Sequence, residues 1–166
     1  MYAGDGKKYL DKAYQSGKKM SFIRTPPDLW KTLNDEFNFT LDTCSSEKNH
    51  LCKKYYTEET NGLAHSWEGE IVYCHPLYDR YIPKWVKKCS EEKCISVMLL
   101  PASTHTKYFH QYCYNKKNCE IRFLPNIHKE GKSGYYMADD DGNIQKGNSG
   151  YIRPLMILIF RNVNER

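Results

Sequence analysis

The sequence predicts an α/β protein with a mostly parallel sheet that is covered by helices on both faces. Short apolar segments that suit buried strands alternate along the chain with amphipathic segments that suit helices. The clearest strand candidate, Ile95 to Leu100, is apolar throughout, as strands buried on both faces of a parallel sheet are. Together these observations favour strands that are joined by crossover helices.

One domain is expected, because the chain has 166 residues and is long enough to bury a core without disulfides. Hydrophobic residues make up 40% and charged residues 27%, a globular composition that excludes a disordered protein. Residues 1–20 are polar and rich in Gly and Lys, so we expect a flexible basic arm there and a single domain at 21–166. No apolar run is long enough to span a membrane and no signal peptide is recognisable, so we expect an intracellular protein that is not secreted.

The first half of the chain predicts two helices and two strands. Thr25-Pro26-Pro27 suits a helix start, because threonine can cap a helix and proline is tolerated in its first turn. The apolar residues that follow have helical spacing: Leu29, Trp30, Leu33 and Phe37. Next come a buried strand at 39–44, a helix at about 45–54 and a short strand at 55–57.

The second half predicts four strands and two helices. An apolar strand at 70–74 leads to a helix near Tyr81, whose inward face is Ile82, Trp85, Val86 and Cys89. After the strand at 95–100, a helix is predicted at about 104–115. Strands at 120–124 and 155–160 follow, separated by a loop at 126–150.

Metal binding is not expected from the cysteines. The chain has seven Cys, and none forms a Cys-x-x-Cys pair. Cys44, His50 and Cys52 are conceivable zinc ligands, but a second pair at metal spacing is missing. In an intracellular protein, such cysteines are mostly small buried apolar residues.

The net charge of +5 and its distribution fit a polyanionic partner. Basic residues form three groups, which lie between Lys7 and Arg24, between Lys84 and Lys93, and between Lys116 and Lys132. Each group alone is typical of a solvated face, whereas three groups together favour a nucleic-acid partner.

The chemistry is expected at Tyr73-Cys74-His75-Pro76-Leu77-Tyr78, at the end of the strand at 70–74. Open α/β sheets bind their ligands at the carboxyl ends of their strands. Further motifs occur in a fixed order between about residues 24 and 160: Thr25-Pro26-x-x-Leu29, Phe39-Thr40-Leu41-Asp42-x-Cys44, Tyr55-Tyr56-Thr57, Gly62-Leu63, Trp67, Leu99-Leu100-Pro101-Ala102, Thr104-x-Thr106-Lys107-x-Phe109-His110 and Glu120-Ile121-Arg122-Phe123.

In this order the motifs resemble the phage-type DNA adenine-N6 methyltransferase family. The resemblance implies a Rossmann-like methyltransferase fold. It also implies transfer of a methyl group from S-adenosylmethionine to the N6 amine of adenine in DNA, without a metal. The adenine must be flipped out of the duplex to be reached.

For the catalytic residues the resemblance implies His75, Pro76 and Tyr78. In the family, the first motif side chain and the carbonyl of the following proline accept the amine hydrogens, while the aromatic ring stacks on the base. His75 stands where Asn is usual, and a neutral imidazole can accept one hydrogen. Other departures also surround the substrate pocket: Leu77 for the second proline, Asp79 for a small residue, Ser103 for Arg and His105 for Asp.

For the cofactor the resemblance implies Thr25, Pro26, Asp42 and Cys44. A ribose-binding acceptor is expected about 20 residues after Asp42, at Glu58, Glu59 or Asn61. The alternative for Asp42 is that it caps the helix predicted after it.

DNA is the expected partner, with Lys84, Lys107, Lys129 and Lys132 as candidate contacts, mostly to phosphates. The loop at 126–150 and the loop after Pro101 are candidates for choosing the target sequence. Two alternatives stay open. One is a binding module that keeps cofactor or DNA binding without catalysis, and the other is a methyltransferase that acts on RNA or a protein amide.

Overall fold

The centre of the protein is a six-stranded mixed sheet. The computed structural model describes residues 22–125, 128–129, 132–133, 137–138, 141 and 153–163. The predicted arm at 1–20 and most of the predicted loop at 126–150 lie outside the described residues. The strands are β1 (Phe22–Ile23), β2 (Leu41–Asp42), β3 (Lys54–Tyr55), β4 (Ile71–Cys74), β5 (Ile95–Pro101), β6 (Cys119–Phe123), β7 (His128–Lys129), β8 (Lys132–Ser133), β9 (Met137–Ala138) and β10 (Leu155–Arg161).

The sheet is mostly but not wholly parallel. Its strand order is β3-β2-β4-β5-β10-β6, and the pairs within β3-β2-β4-β5 are parallel. β10 lies between β5 and β6 and is antiparallel to both. β1 pairs with β9, and β7 pairs with β8, in two separate antiparallel ladders. The predicted α/β class with a mostly parallel sheet is therefore confirmed.

Helices pack on both faces of the sheet, as the sequence predicts. They are α1 (Pro27–Phe37), α2 (Ile82–Glu91) and α3 (Lys107–Tyr112). On one face, Leu33 and Phe37 of α1 pack in a cluster with β5 and β10 residues such as Val97 and Ile157. On the opposite face, α2 and α3 pack on the sheet in a second cluster that includes Val86, Phe109, Val72, Met98 and Leu158. Among the described residues, no helix is long and apolar enough to cross a membrane.

The helix predicted at 45–54 does not form. Residues 43–53 consist of turns and bends, and the strand predicted at 39–44 is regular only at Leu41–Asp42. The reason is local side-chain bonding, because the Asp42 carboxylate accepts the backbone N–H groups of Cys44 and Leu51. The hydroxyl of Ser45 likewise donates to the Tyr56 carbonyl. Such side chains offer the backbone an alternative to a helical ladder.

Thr25 does not cap α1, contrary to the expectation from the sequence. The N-cap is Pro26, without a side-chain cap bond, and α1 begins at Pro27, so a proline occupies the first turn as expected. Since the Thr25 hydroxyl is not used at the helix end, it is available to the rest of the site. α3 is also shorter than the predicted 104–115.

The topology places a switch point between β2 and β4. The chain passes from β2 to β3 on one side, and then returns to β4 and β5 on the other side. Ligands of open α/β sheets bind outside the carboxyl ends of the strands at such a point. Asp42 ends β2 and Cys74 ends β4, so the residues that follow them border this crevice.

Candidate active site

The two halves of the predicted site meet at the switch point. The backbone N–H of Thr43 donates to the Tyr73 carbonyl at 3.1 Å. At the ends of the two strands, the Sγ atoms of Cys44 and Cys74 are 3.6 Å apart. The residues expected at the cofactor and those expected at the reacting base therefore lie side by side.

His75 is the centre of a chain of hydrogen bonds. Its Nδ1 atom lies 3.0 Å from the Thr25 hydroxyl, which is 2.7 Å from the Tyr73 hydroxyl. Its Nε2 atom lies 3.0 Å from the Tyr78 hydroxyl, which donates to the Leu99 carbonyl at 3.3 Å. Both imidazole nitrogens are therefore engaged by protein hydroxyls. The sequence pointed to Thr25, His75 and Tyr78 but not to the bonds that connect them.

Burial keeps the His75 imidazole neutral. The surrounding protein disfavours the charged form and lowers the pKa of His75 to about 4. Burial also raises the pKa of Tyr73 and the pKa of Cys74 above their ordinary values, so the phenol and the thiol keep their protons. At neutral pH, the hydrogen bonds around His75 thus connect uncharged groups.

The loop after His75 exposes one side chain and leaves one acceptor unused. Pro76 is buried, and its carbonyl accepts no hydrogen bond from any residue that the structure describes. Leu77 is 38% exposed, and its carbonyl accepts the backbone N–H of Asp79 at 2.9 Å. The Asp79 carboxylate accepts the backbone N–H of Tyr81 at 2.8 Å. These bonds order the turn into α2.

Asp42 organises the loop that follows β2. The carboxylate is 3% exposed, and its two oxygens accept the N–H groups of Cys44 at 3.3 Å and Leu51 at 3.0 Å. Burial raises the pKa of Asp42, while these bonds and nearby His50 act in the opposite direction. Asp42 thus holds the loop after β2 in place. It does not cap a helix, because the helix predicted there does not form.

The segment after β3 folds back against the end of β2. The backbone N–H of Tyr56 donates to the Asp42 carbonyl at 2.9 Å, and Asn61 has a left-handed backbone with φ of 51°. A Cβ atom on Gly62 would lie 2.5 Å from the Thr43 carbonyl oxygen, so only glycine fits this close approach. Glu58 is exposed just before this contact. Glu58 and Asn61 therefore border the same edge as Asp42.

The lysines near the motif have different surroundings. Lys87 pairs with Glu91, and Lys88 pairs with Glu92 at 2.7 Å, so both interact within their own helix. The Lys84 ammonium instead lies 5.0 Å above the Tyr81 ring. The guanidinium of Arg80 lies 5.1 Å from the same ring. Sequence reasoning missed Arg80 and Tyr81, although a basic residue beside an aromatic directly after the motif was a usable signal.

The other predicted DNA contacts lie apart from this cluster. Lys107 is exposed as the first residue of α3. Lys129 and Lys132 stand opposite each other in the β7–β8 ladder. No described contact brings these three lysines to the switch point.

A cavity lies where β5 ends and β10 begins. It has a volume of about 260 Å³ and is lined by Pro101, Ala102, Ser103, His105, Arg153 and Pro154. Ser103 and His105 of this lining were expected near the substrate pocket. Within the described ranges, no group of three or more His, Cys, Asp or Glu side chains could hold a metal ion.

The mostly parallel sheet places this chain among α/β proteins, a class in which ligands bind at the carboxyl ends of the strands. The family model described as DNA N-6-adenine-methyltransferase (Dam) matches residues 15–166. This chain belongs to that family, and its fold is compatible with a methyltransferase.

Two phage proteins are similar to the chain. A DNA N-6-adenine-methyltransferase of Escherichia phage T1 is 31% identical over 109 residues, which cover 57% of this chain and 45% of that protein. A DNA N-6-adenine-methyltransferase of Haemophilus phage HP1 (strain HP1c1) is 31% identical over 120 residues, 65% of this chain and 68% of that protein. The matched part is thus less than half of the T1 protein.

Proposed function

We propose that the chain transfers a methyl group from S-adenosylmethionine to the N6 amine of adenine in DNA. The observation that carries the proposal is the contact between the two motif halves at the switch point. Thr25 is hydrogen-bonded to His75 at 3.0 Å, and Cys44 lies 3.6 Å from Cys74. A cofactor at one half and a base at the other would therefore be adjacent.

The polar groups at this edge fit S-adenosylmethionine. Glu58 and Glu59 are exposed carboxylates just beyond β3, where ribose hydroxyls find acceptors in sheets of this kind. Asp42 shapes the loop that carries Cys44, and Gly62 brings Asn61 against the same edge. When bound, the cofactor supplies a methyl group on a sulfonium that is already activated. We assign Thr25, Pro26, Asp42, Cys44, Glu58 and Asn61 to its binding.

The motif supplies an acceptor and a ring for the target base. The unused carbonyl of Pro76 is suited to accept one hydrogen of the adenine amine. Tyr78 is partly exposed at the edge shared by both core clusters, and its ring can stack on a base that has left the duplex. His75 lies between these two groups and completes the substrate side of the site.

DNA would bind at the surface formed by the residues directly after Tyr78. Arg80 and Lys84 place two cations at the ring of Tyr81, close to the turn at Leu77. Cations bind phosphates without regard to sequence, and an exposed aromatic ring can stack on a base. We propose further contacts to the DNA backbone from Lys107 and from the facing pair Lys129 and Lys132. A DNA substrate also places the protein inside a cell.

A second candidate is a binding module that has lost methyl transfer. It is favoured by one observation, namely that both nitrogens of His75 are already hydrogen-bonded to Thr25 and Tyr78. A side chain in that state offers no free lone pair to an amine. Cofactor binding without transfer would then be the result.

Methyl transfer with labelled S-adenosylmethionine to unmethylated and to fully N6-methylated DNA separates these candidates. We expect label only in the unmethylated DNA, recovered as N6-methyladenine by nucleoside mass spectrometry. Tyr78→Ala should lose transfer, whereas Tyr114→Ala, the same change at an exposed tyrosine, should keep it. Cofactor binding by calorimetry with no transfer to DNA would favour the binding module. Transfer to RNA or protein alone would identify a different acceptor.

A further inference from the structure

The cavity between the end of β5 and the start of β10 has the chemistry of an anion site. We infer that it binds a phosphate of the DNA backbone next to the target adenine, through Arg153 and His105. The inference rests on the proposed function, because it names the part of the substrate that this cavity would hold. It adds Arg153, which lies outside the residues assigned to the site so far.

The guanidinium of Arg153 is available to a ligand. Its side chain is exposed and makes no hydrogen bond or ion pair with any residue in the described part of the chain. By contrast, Arg122 and Arg161 both pair with Glu120. No Asp or Glu is among the described residues that line the cavity. An arginine without a carboxylate partner suits a phosphate, because its planar fork can donate two parallel hydrogen bonds to the phosphate oxygens.

His105 adds a second donor from the loop after β5. Its imidazole is exposed and has no hydrogen-bond partner among the residues that the structure describes. Whether neutral or charged, an imidazole carries at least one N–H group that can donate to an anion. The loop around it is ordered, because the Ser103 N–H donates to the Pro101 carbonyl at 2.7 Å and the Thr106 hydroxyl donates to the Ser103 carbonyl at 2.8 Å. His105 is therefore carried to the cavity by a fixed loop.

The two walls of the cavity are joined by backbone bonds. The Ala102 N–H donates to the Pro154 carbonyl at 2.8 Å, and Pro101 pairs with Leu155 in the ladder between β5 and β10. These bonds fix the loop after β5 against the segment that carries Arg153. The volume is about 260 Å³, and the remaining lining is largely apolar, which suits contact with the sugar next to a phosphate.

The position of the cavity favours DNA over the cofactor as the source of the anion. The Tyr78 hydroxyl donates to the Leu99 carbonyl, and Pro101 lies two residues further along β5, or roughly 7 Å at the usual rise of a strand. That distance is similar to two nucleotide steps of a DNA strand, at about 3.4 Å each. In the strand order, β4 and β5 separate the cavity from β2, which amounts to roughly 12 Å at the usual strand spacing. A base at Tyr78 thus brings its own backbone to the cavity, whereas a cofactor at Asp42 does not reach it.

The salt dependence of DNA binding tests the inference, measured by fluorescence anisotropy with the full chain and a labelled duplex. Arg153→Gln should lower affinity about tenfold and reduce the slope of log K against log salt by about one. Arg153→Lys keeps the charge and should keep the slope. The control Lys93→Gln removes the same charge just before the opposite end of β5 and should change the slope less. An unchanged slope in Arg153→Gln, or an equal reduction in both Gln variants, would overturn the inference, while thermal unfolding confirms that each variant is folded.

Two further measurements separate the sources of the anion and the role of the second donor. Calorimetry with S-adenosylmethionine should give the same affinity in Arg153→Gln as in the wild type, and a tenfold loss would assign the cavity to the cofactor instead. Arg153-dependent binding of inorganic phosphate with an unchanged DNA slope would show a site for the free ion and overturn the inference. His105→Ala should lower DNA affinity by less than Arg153→Gln does, and His105→Gln, which keeps a donor, should retain more of it; unchanged affinity in His105→Ala would refute the part assigned to His105.

Binding requires no turnover, so the inference and the proposed function can fail separately. A wild type that binds DNA through Arg153 but transfers no methyl group refutes the proposed function alone. Methyl transfer to DNA with an unchanged salt slope in Arg153→Gln refutes this inference alone.

Discussion

Nε2 of His75 lies 3.0 Å from the hydroxyl of Tyr78. The two side chains that the family pattern assigns to the target base are thus bonded to each other. The turn that follows is closed by the Asp79 N–H, which donates to the Leu77 carbonyl at 2.9 Å.

Methyl transfer should tolerate acid better than an ordinary histidine would allow. The pKa of His75 is lowered from 6.5 to about 4 by burial, so the neutral form persists well below pH 6. An unperturbed histidine would instead give a midpoint near about pH 6.5. We expect the acidic limb attributable to His75 near pH 4, measured as kcat/KM against pH. His75→Asn should lack that limb, and a wild-type midpoint near 6.5 would contradict the burial of this side chain.

Stability should depend on pH through the same residue. Because the folded pKa is about 4 and the unfolded value 6.5, the unfolded chain binds more protons between these limits. The free energy of unfolding should therefore fall as the pH is lowered from 6.5 to about 4, by at most about 3 kcal/mol from His75. Urea unfolding of His75→Gln should show a weaker fall over this window. Equal slopes in both proteins would contradict the prediction.

Asp42→Ala should weaken both the fold and cofactor binding. The substitution removes the acceptor of the Cys44 and Leu51 N–H groups, so we expect a loss of about 2 kcal/mol in unfolding free energy. Affinity for S-adenosylmethionine should fall at least about tenfold, because the loop at the switch point loses its fixed shape. Calorimetry and urea unfolding measure the two effects. Asp42→Asn keeps one acceptor and should lose less of both, and unchanged affinity in Asp42→Ala would place the cofactor elsewhere.

Gly62→Ala should also disturb the end of β2, at the close contact between Gly62 and Thr43. The added methyl group would lie 2.5 Å from the Thr43 carbonyl oxygen, and a backbone atom cannot move away cheaply. We expect a loss of about 1–3 kcal/mol in unfolding free energy. Ala64→Gly, a change of the same size at the exposed end of the same 3-10 helix (Gly62–Ala64), is the control and should cost less than about 1 kcal/mol. A neutral Gly62→Ala would mean that the segment at 57–62 does not rest on β2.

DNA binding should depend on Lys84 more than on Lys87. Lys84 and Arg80 both lie at the Tyr81 ring, directly after the motif, whereas Lys87 lies further along α2. Lys84→Gln should therefore lower affinity and reduce the slope of log K against log salt by about one. Lys87→Gln, with the same charge change one helical turn away, should alter that slope less. Equal slopes for the two variants would contradict the proposed surface, and fluorescence anisotropy measures both.

The sequence predicted the sheet well where strands are long and apolar. β4, β5 and β10 lie within one or two residues of their predicted bounds, because continuous burial leaves a pattern that is readable locally. The helix predicted at 45–54 was wrong, since the Leu51 N–H bonds to the Asp42 carboxylate and the Ser45 hydroxyl bonds to the Tyr56 carbonyl instead of a helical ladder forming. The antiparallel direction of β10 was not predicted either, because strand direction depends on distant partners.

The sequence named candidate site residues but did not predict the hydrogen bonds between them. His75, Thr25 and Asp42 were named from the motif pattern, and whether they act as proposed stays a prediction. The contact between Thr25 and His75 joins residues 50 positions apart, so no local pattern could reveal it. The hydroxyl of Tyr73 was equally hidden, because a tyrosine in an apolar strand is usually a packing residue.

The position of β10 has a consequence for the order in which the chain can fold. β10 pairs with β5 along seven residues and with β6 along five, and β6 joins the sheet only through β10 within the described residues. During synthesis, β5 leaves the ribosome before β10. The edge of β5 that pairs with β10 is therefore unpaired at first. The sheet therefore closes late, when residues 155–161 insert between two strands that are already made. Until then that edge is open to pairing with another chain.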